Sequence, residues 1–381
     1  MTNTFTFFKG RIALHAILKA ADIGKGDRVL LPGYTCIVVP NAILYRGAEP
    51  VYVDIEPHTY NLDPSLLEAK LKEAARGTYR AVIVQHTYGI PCDMVAIARI
   101  AREHDLLVIE DSCHTLGSKF NDQCVGTFGD AAFFSSQWSK PVTTGLGGWA
   151  VANNPVLQRR LELAHGEYTQ PSRAESLLLA LQLVAFRVAY RPRLFWLVQG
   201  VYRKMAHLGL AIGSSSSPEL ECVEPPNYMK AMGHRQVSQL KTLLDKKEAD
   251  IETRRHHARV IRNRLRESGF ATVDLPTEYD PVFVRYPVLV ENREQVLNLA
   301  RKHKVQLGDW FLSPVHPNET GWTEAGYKAG SCPIAEEISR RVVNISTDAR
   351  TSAREIERTI AFLRQHATPY VAGQTMKMGE N

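Results

Sequence analysis

The chain has 381 residues, of which 44% are hydrophobic and 23% charged, and its formal net charge is +6. This length can bury a full core and favours a large domain beside a smaller one, while the scattered basic residues argue against nucleic-acid binding and leave anionic small molecules as candidate substrates. The six cysteines show no CxxC pair and no metal-ligand spacing, so we expect a reduced cytosolic protein without a metal site.

The first part of the chain alternates between extended and helical patterns. The predicted strands lie at 28–31, 50–54, 81–84 and 106–110, and the predicted helices at 11–20, 64–76 and 93–104. This alternation predicts an α/β fold with a mainly parallel sheet that is covered by helices on both faces. Ligands of such sheets bind beyond the carboxyl ends of the strands, where we expect Asp111 to lie.

The alternation stops at residues 171–225. Residues 176–190 are apolar nearly all round, 191–213 add a second apolar stretch flanked by basic residues, and 214–218 (SSSSP) indicate a linker. Each apolar run is too short to cross a bilayer. We consider three interpretations: helices buried at a dimer interface or over the active-site mouth, a helical hairpin on a membrane surface at 176–210, or contact with another protein.

A second αβ region follows this insertion. The pattern predicts a long polar helix at about 233–266, strands at 282–290 and 342–346, and helices at 293–303 and 352–365. Ser352 and Glu355 have the spacing of a capping box, which supports a helix start there. We therefore predict a large domain over residues 1–225, including the insertion, and a small C-terminal domain over 226–381.

Two residues have the setting that pyridoxal-phosphate (PLP) chemistry requires. Lys140 lies in FFSSQWSKPVTTGLGG, among hydroxyl side chains and before a glycine-rich turn, as a lysine that holds PLP as a Schiff base would. Asp111 ends a predicted strand about thirty residues earlier, where a carboxylate could keep the pyridine nitrogen protonated. Together they indicate a PLP-dependent enzyme.

The sequence around both residues resembles the DegT/DnrJ/EryC1/StrS family of sugar aminotransferases, PLP enzymes of fold type I. The matching blocks are KGRIALHAIL (9–18), residues 31–64, VQHTYGIPCDM (84–94), VIEDSCHTLGSKF (108–120), residues 129–154 and SCPIAEEISRRVVNIST (331–347). The resemblance implies a large domain with a mainly parallel, seven-stranded-type sheet between helices and a smaller C-terminal α/β domain.

The resemblance also implies which residues hold the cofactor. Lys140 matches the Schiff-base lysine, Asp111 the carboxylate facing the pyridine nitrogen, His114 the residue contacting the ring or its phenolic oxygen, and Ser135 a hydroxyl that contacts the phosphate. A merely packed histidine is the alternative for His114.

The start of the first helix is the second cofactor element that the resemblance implies. Gly10, Arg11 and Ile12 match the helix start whose amides bind the phosphate. Two residues depart from the family pattern: Arg11 replaces the usual Thr or Ser, and Cys36 stands where an aromatic residue commonly stacks on the cofactor.

Five further residues fall near substrate-side positions of the family. They are Tyr34, His86, Tyr88, Asn227 and His316. For His86, Tyr88 and His316 a plain structural role is an equal alternative, and Tyr34 is also a candidate for stacking on the cofactor. Asn227 resembles a loop through which the partner subunit of a homodimer completes each active site, although its spacing to the next helix is longer than in the family.

The identity of residue 140 distinguishes between two reactions. Family members that dehydrate a sugar have histidine there, so the lysine favours transamination, with nitrogen moving from a donor such as glutamate to a keto-sugar, most plausibly nucleotide-linked, in surface-polysaccharide or secondary-metabolite synthesis. The alternatives are a non-catalytic regulatory protein on the same fold, an aminotransferase acting on a lipid-linked acceptor at the membrane surface, and a membrane-associated scaffold. We expect no signal peptide and a cytoplasmic location, with a peripheral position on the inner face of the membrane as the alternative.

Overall fold

The computed structural model describes residues 3–189, 198, 200–201, 204–205, 212–317 and 321–370. Its strands, in chain order, are β1 (Thr4–Phe7), β2 (Arg28–Pro32), β3 (Thr35–Cys36), β4 (Glu49–Val53), β5 (Ala81–Gln85), β6 (Leu107–Asp111), β7 (Lys119–Phe120), β8 (Gln123–Cys124), β9 (Ala131–Ser135), β10 (Gly148–Ala152), β11 (Tyr279–Asp280), β12 (Arg285–Leu289), β13 (Val315–His316) and β14 (Val342–Ser346). Seven of them form a central sheet in the order β1-β10-β9-β6-β5-β2-β4.

Twelve helices surround this sheet and the C-terminal part within the described residues. They are α1 (Gly10–Ala20), α2 (Val38–Leu44), α3 (Pro64–Lys72), α4 (Met94–Glu103), α5 (Pro155–His165), α6 (Arg173–Ala189), α7 (Ser217–Leu220), α8 (His234–Asp245), α9 (Lys247–Glu267), α10 (Arg293–Lys302), α11 (Pro333–Ser339) and α12 (Ala353–His366). The positions of the predicted strands and helices are therefore confirmed to within a few residues, apart from the long helix discussed below.

The central sheet is mainly parallel, as predicted. Strands β9, β6, β5, β2 and β4 pair in parallel, whereas β10 runs antiparallel to both β9 and β1. In β5, Ala81 and Ile83 pack into the core that contains α1, α2 and α5, while Val82 and Val84 pack into the core of α3 and α4. Because both faces of β5 are covered by helices, polar and apolar residues need not alternate along this strand.

The C-terminal part has its own small sheet and pairs with two short strands of the N-terminal part, β7 and β3, which lie outside the central sheet. Strands β12 and β14 pair antiparallel, and α9, α10 and α12 pack together beside them. Strand β11 pairs with β7, and β13 pairs in parallel with β3. The division into domains 1–225 and 226–381 is compatible with this layout and stays a prediction.

Some helices begin with a side-chain cap and others do not, and two of the helix starts bear on the predictions. The hydroxyl of Ser352 accepts from the amide of Glu355 at 3.3 Å and the Glu355 carboxylate accepts from the amide of Ser352 at 2.8 Å, so the predicted capping box is confirmed. At the start of α1, by contrast, no side chain caps the helix after Lys9. The first turn of α1 therefore keeps backbone amides that another partner can use.

The single long helix predicted at 233–266 is wrong in one respect. The chain forms α8 and α9 there, with a break at Lys246, whose φ of −107° and ψ of 11° are not helical. Leu240 of α8 packs with Trp149 and Met232, whereas Ile251 of α9 lies against Gly117. The two helices thus contact different parts of the molecule, which one straight helix could not do.

Only part of the predicted insertion falls on described residues. Helix α6 buries Leu179 and Leu183, and its Phe186 contacts Trp138, two residues before Lys140, with ring centroids 5.1 Å apart. No described helix is long and apolar enough to span a membrane. The predicted apolar stretch 191–213 lies largely outside the described residues.

Candidate active site

Asp111 lies where the sequence predicts it, at the carboxyl end of β6 in the middle of the sheet. Its carboxylate is 6% exposed and accepts a hydrogen bond from the amide of Cys113 at 3.0 Å. Burial raises the pKa of Asp111, while the Cys113 amide and then the positive charge of Lys140 act in the opposite direction. A buried carboxylate of this kind favours a positively charged partner.

Lys140 lies in the loop that follows β9, the next strand of the sheet. Its backbone amide donates to the carbonyl of Gln137 at 3.0 Å, and its Nζ lies 5.1 Å from the centroid of the Trp310 ring. The structure thus brings Lys140 and Asp111 to the same edge of the sheet, within reach of each other's charge. A primary amine beside a buried carboxylate is the minimum that the predicted chemistry needs.

His114 faces the same ring as Lys140. The imidazole stacks on Trp310 with centroids 5.3 Å apart and an interplanar angle of 11°, and its Nδ1 accepts from the amide of Tyr88 at 3.3 Å. Burial, then the charges of Lys140 and Arg285, hold the pKa of His114 well below its usual value. His114 is therefore neutral, and because Nδ1 accepts, its proton is on Nε2.

Trp310, which lies 170 residues after Lys140, was not among the residues predicted for the site. Its amide donates to the Asn344 side chain at 3.0 Å, and the Asn344 amide donates to the Trp310 carbonyl at 2.6 Å. Asn344 is fully buried in β14, so this pair of hydrogen bonds fixes the backbone that carries the ring. The only local signal was an aromatic pair, Trp310 and Phe311, ahead of SPVHP.

A second element of the site is a close approach between glycines at the start of α1. A Cβ on Gly148 would lie 2.4 Å from Gly10 Cα, and a Cβ on Gly10 would lie 3.0 Å from Ser135 Cβ. The amide of Ile12 donates to the Lys9 carbonyl at 3.1 Å, which leaves the earlier amides of the uncapped helix as candidates for an anion. Gly10 and Ser135 therefore fit a cradle for the cofactor's phosphate.

Arg11 is turned away from that cradle by a partner that we did not predict. Its guanidinium pairs with Glu219 at 2.5 Å and also donates to Ser215 Oγ and the Ser214 carbonyl. Glu219 is 1% exposed and also pairs with Lys9 at 3.2 Å. The departure at Arg11 thus has a structural reason, because its side chain joins the end of the insertion to the start of α1.

We predict that Glu219→Gln lowers the free energy of unfolding by about 3–5 kcal/mol, because it leaves the buried Arg11 charge unpaired. Burial opposes ionisation of Glu219, but Arg11 and Lys9 outweigh it and bring its pKa to about 2, below the ordinary 4.5. This contribution is present above pH 4.5 and is lost as the pH falls toward 2. Urea unfolding at pH 7 and pH 3 checks it, with Glu221→Gln as the control. A Glu219→Gln protein as stable as the wild type at pH 7 would contradict the prediction.

Tyr34 and Tyr88 are brought together, but both are buried. Their hydroxyls lie 2.7 Å apart, the Tyr34 hydroxyl accepts from the Phe311 amide at 3.2 Å, and the Tyr88 hydroxyl donates to the Trp310 carbonyl. Burial raises the pKa of Tyr34 to about 12 and raises that of Tyr88 well above its usual value. These hydrogen bonds fix the backbone of the segment that carries Trp310. Any effect of the two tyrosines on a substrate would therefore act through that segment.

His86 is enclosed by the protein, and its ring nitrogens face other groups of the same chain. It is fully buried, its Nδ1 accepts from the amide of Cys92 at 3.0 Å, and its Nε2 lies 3.2 Å from the Glu110 carboxylate. Glu110 in turn accepts three backbone amides from the 126–129 turn. With both ring nitrogens in use, His86 fits the structural role that was the alternative to substrate contact.

His316 and Cys36 are neighbours because β13 pairs with β3. The pairing sets His316 opposite Cys36, and the amide of Leu312 donates to His316 Nδ1 at 3.0 Å. Burial lowers the pKa of His316 to about 4. Asn227, by contrast, is exposed, and the hydroxyl of its neighbour Tyr228 donates to the Arg11 carbonyl at 3.3 Å. Asn227 thus lies outside the Lys140 cluster of the same chain.

A profile of the DegT/DnrJ/EryC1/StrS aminotransferase family matches residues 2–220 and 228–364. Over 342 residues the chain is 28% identical to a protein named pleiotropic regulatory protein from Geobacillus stearothermophilus, covering 88% of this chain and 77% of that one. It is 40% identical over 164 residues to a GDP-perosamine synthase from Caulobacter vibrioides, covering 43% of each chain. The latter match therefore spans less than half of either protein.

Solved structures show the same fold at lower identity. A DegT DnrJ EryC1 StrS aminotransferase from Brucella abortus superposes with a TM-score of 0.71 at 21% identity, covering 95% of this chain and 85% of the other. This similarity supports the fold of the whole chain, including the C-terminal part that carries Trp310.

Proposed function

This chain belongs to the DegT/DnrJ/EryC1/StrS aminotransferase family, and from that membership we propose that it moves an amino group from an amino acid to a keto-sugar. The observation that carries the proposal is the grouping of Lys140, Asp111 and His114 at one edge of the sheet, with Lys140 and His114 against the ring of Trp310 and Asp111 within reach of the Lys140 charge. An amine, a buried carboxylate and a neutral imidazole are the groups that PLP-dependent transamination uses.

Aminotransferases of this family are PLP-dependent, and we propose that this chain holds PLP with the residues described above. Gly10 and Ser135 would bind the phosphate, with the first-turn amide of Arg11 beside them, and Asp111 would face the ring nitrogen. The Ile12 amide, predicted for the same role, already donates to the Lys9 carbonyl. Cys36 is half-buried on the short strand β3 and would pack near the ring without stacking on it. When bound, the cofactor supplies an electron sink for the carbon that loses its proton.

The chain's own residues then do three things. The amine of Lys140 carries a proton to and from the substrate carbon, which requires part of it to be neutral. The Asp111 carboxylate stays ionised opposite a positive charge, which offsets the rise in its pKa caused by burial. The Nε2–H of neutral His114 is free to donate to an oxygen, since Nδ1 already accepts from Tyr88.

The acceptor class rests on the relatives. The similarity to a GDP-perosamine synthase supports a nucleotide-linked keto-sugar as acceptor, in surface-polysaccharide or secondary-metabolite synthesis, and glutamate is the donor that we propose. The decisive experiment adds amino donors to the PLP-loaded protein and follows conversion to the pyridoxamine form by absorbance, then adds keto-sugars and follows the return. A protein that takes up no PLP, or whose cofactor no donor converts, would exclude this function.

A regulatory protein on the same fold is the second candidate, because one relative matched over most of its length is named a pleiotropic regulatory protein. The presence of Lys140, Asp111 and Ser135 favours catalysis, since a purely regulatory protein would not need all three. The donor screen above decides between them: bound PLP that no amino donor converts would support regulation.

We also propose that the chain works as a homodimer with shared active sites. Asn227 is exposed on its own subunit, in a loop that Tyr228 anchors to the start of α1, so it is placed to reach a neighbouring molecule. The six cysteines are free thiols, which is compatible with the proposed cytoplasmic location.

The outer face of α6 suggests where such a cytoplasmic protein could meet a membrane. Leu177, Leu181, Val184 and Val188 follow one another at helical spacing and are 56–65% exposed. Residues 176–218 contain five lysines and arginines but no aspartate or glutamate. An apolar stripe in a segment without acidic residues fits an anionic lipid surface, so we propose that α6 binds the bilayer peripherally. There it would bring a lipid-linked acceptor, the alternative to a nucleotide-linked one, within reach.

We expect the wild type to co-sediment with vesicles that contain phosphatidylglycerol, and the double variant Leu177→Gln/Leu181→Gln to bind about tenfold more weakly, because two exposed leucines that would enter the lipid are lost. The matched control is Val156→Gln/Leu163→Gln, which removes two equally exposed apolar side chains from α5. Wild-type protein that stays in the supernatant would reject lipid binding. If light scattering shows that the α6 variant is monomeric while the control is dimeric, the stripe contacts a second copy instead.

A further inference from the structure

A cleft opens beside Lys140 between the loop that carries it and the C-terminal sheet. Trp138 and Ser139 form one wall, and Arg285, Gln306, Asp348 and Arg350 are among the residues of the other. The cleft thus joins the reactive lysine to the start of β12 and the end of β14. A substrate group next to Lys140 would extend along this wall.

Two of the three arginines in the cleft have carboxylate partners. Arg254 pairs with Asp250 at 2.7 Å and with Asp348 at 3.3 Å, and Arg350 pairs with the same Asp348 at 2.7 Å. Among the residues that the structure describes, the guanidinium of Arg285 has neither an ion-pair partner nor a hydrogen-bond partner, although its backbone pairs with Ser346 in the sheet. The cleft therefore carries an excess of positive charge, and that excess is concentrated at Arg285.

Two features of the structure, a glycine and an indole, fix the position of the Arg285 guanidinium. A Cβ on Gly308 would lie 2.3 Å from the guanidinium Nη1 of Arg285, so the arginine occupies space that any other residue at 308 would fill. The guanidinium carbon lies 4.5 Å from the centroid of the Trp310 ring, whose backbone Asn344 holds. A glycine and a fixed indole thus set where the guanidinium lies, which lowers the cost of binding a ligand there.

Arg285 belongs to the reacting end of the cleft. Lys140 Nζ lies 5.1 Å from the same indole, and the His114 ring stacks on it at 5.3 Å. All three groups therefore surround one side chain. A molecule that reaches Lys140 passes within the reach of Arg285.

We propose that Arg285 is the anchor of an oxyanion subsite, which binds a carboxylate or phosphate group of the substrate while Lys140 acts at the reacting carbon. The planar guanidinium donates two parallel hydrogen bonds to such a group, and its lack of an internal carboxylate leaves both free for the ligand. The subsite deepens the proposed function, on which it rests. The oxyanion is either the carboxylate of the amino donor or the phosphate of a nucleotide-linked acceptor.

Calorimetric titration of the PLP-loaded protein tests the subsite with two probes, glutarate for the donor's carboxylate and inorganic pyrophosphate for the acceptor's phosphate. We expect Arg285→Met to raise the Kd of at least one probe about tenfold or more, and Arg285→Lys to raise it less, because lysine keeps the charge but loses the paired hydrogen bonds. Arg76→Met, which removes an exposed arginine, is the control.

The probe whose affinity falls in Arg285→Met identifies the ligand of the subsite. A weaker glutarate titration alone assigns the subsite to the donor, a weaker pyrophosphate titration alone assigns it to the acceptor, and weakening of both supports one shared anion site. Equal affinities in the wild type and Arg285→Met, or no binding of either probe by the wild type, would overturn the proposal. The cofactor's absorbance is recorded first, so that failure to load PLP, which contradicts the proposed function, is distinguished from failure to bind the probes.

Discussion

Lys140→Ala is expected to abolish transamination, with a loss of about 10⁴-fold or more, and to remove the near-visible absorbance of the lysine-bound cofactor. The reason is that one amine both holds the cofactor and moves the proton, and no other described lysine contacts Trp310. Absorbance spectra and initial rates with glutamate measure the two losses. The side chain is half-buried in a loop, so the variant should unfold at nearly the wild-type temperature.

Two control variants distinguish the loss of the nucleophilic amine from the loss of positive charge. Lys140→Arg keeps the positive charge but has no nucleophilic amine, so it should be as inactive as Lys140→Ala. Lys72→Ala removes an exposed lysine and should keep both the spectrum and the rate. Wild-type rates in Lys140→Ala would show that a different residue carries the reaction.

Asp111→Asn is expected to lower the rate about a hundred- to a thousandfold, because a neutral amide cannot hold a positive charge on the cofactor nitrogen. The asparagine oxygen can still accept from the Cys113 amide, so the local fold should persist. Burial raises the pKa of Asp111, so wild-type activity that requires the ionised form should fall as the pH drops through that raised value. This acid limb should be absent from the pH profile of the variant.

The spectrum distinguishes this role from a structural one. A change in the cofactor's absorbance with pH should shift in Asp111→Asn but not in Asp105→Asn, which replaces an exposed aspartate of the preceding turn. An Asp111→Asn protein with normal rate and spectrum would show that the carboxylate does not face the cofactor.

The sequence predicted the central sheet because its signals are local. Apolar runs such as 81–84 and the helices between them fix a parallel sheet, and parallel strands place Asp111 at a known edge. Lys140 and Ser135 could then be located by the motif around them. These residues lie close together in the chain, so no long-range contact had to be guessed.

The residues that the sequence could not predict are brought in from far away. Trp310 lies against Lys140, which is 170 positions earlier in the chain, and Glu219 pairs with Arg11 at the start of α1. Arg285 reaches the same indole from β12, and nothing in the sequence around these residues marks the contacts. The break at Lys246 was missed for the same reason, because it depends on where α8 and α9 pack. The role of His86 could not be decided from the sequence, because the pattern does not reveal that its ring lies beside the buried carboxylate of Glu110.

The pairing of β13 with β3 has a consequence for the order in which the protein folds. Thr35 and its partner Val315 are 280 residues apart, so β3 leaves the ribosome long before its partner strand exists. Closing so long a loop costs entropy that is recovered only when the C-terminal part docks. A nascent chain that ends near residue 225 contains all seven strands of the central sheet and Lys140, but it lacks the indole against which Lys140 rests. The reacting centre is thus completed late in synthesis, after most of the large fold is in place.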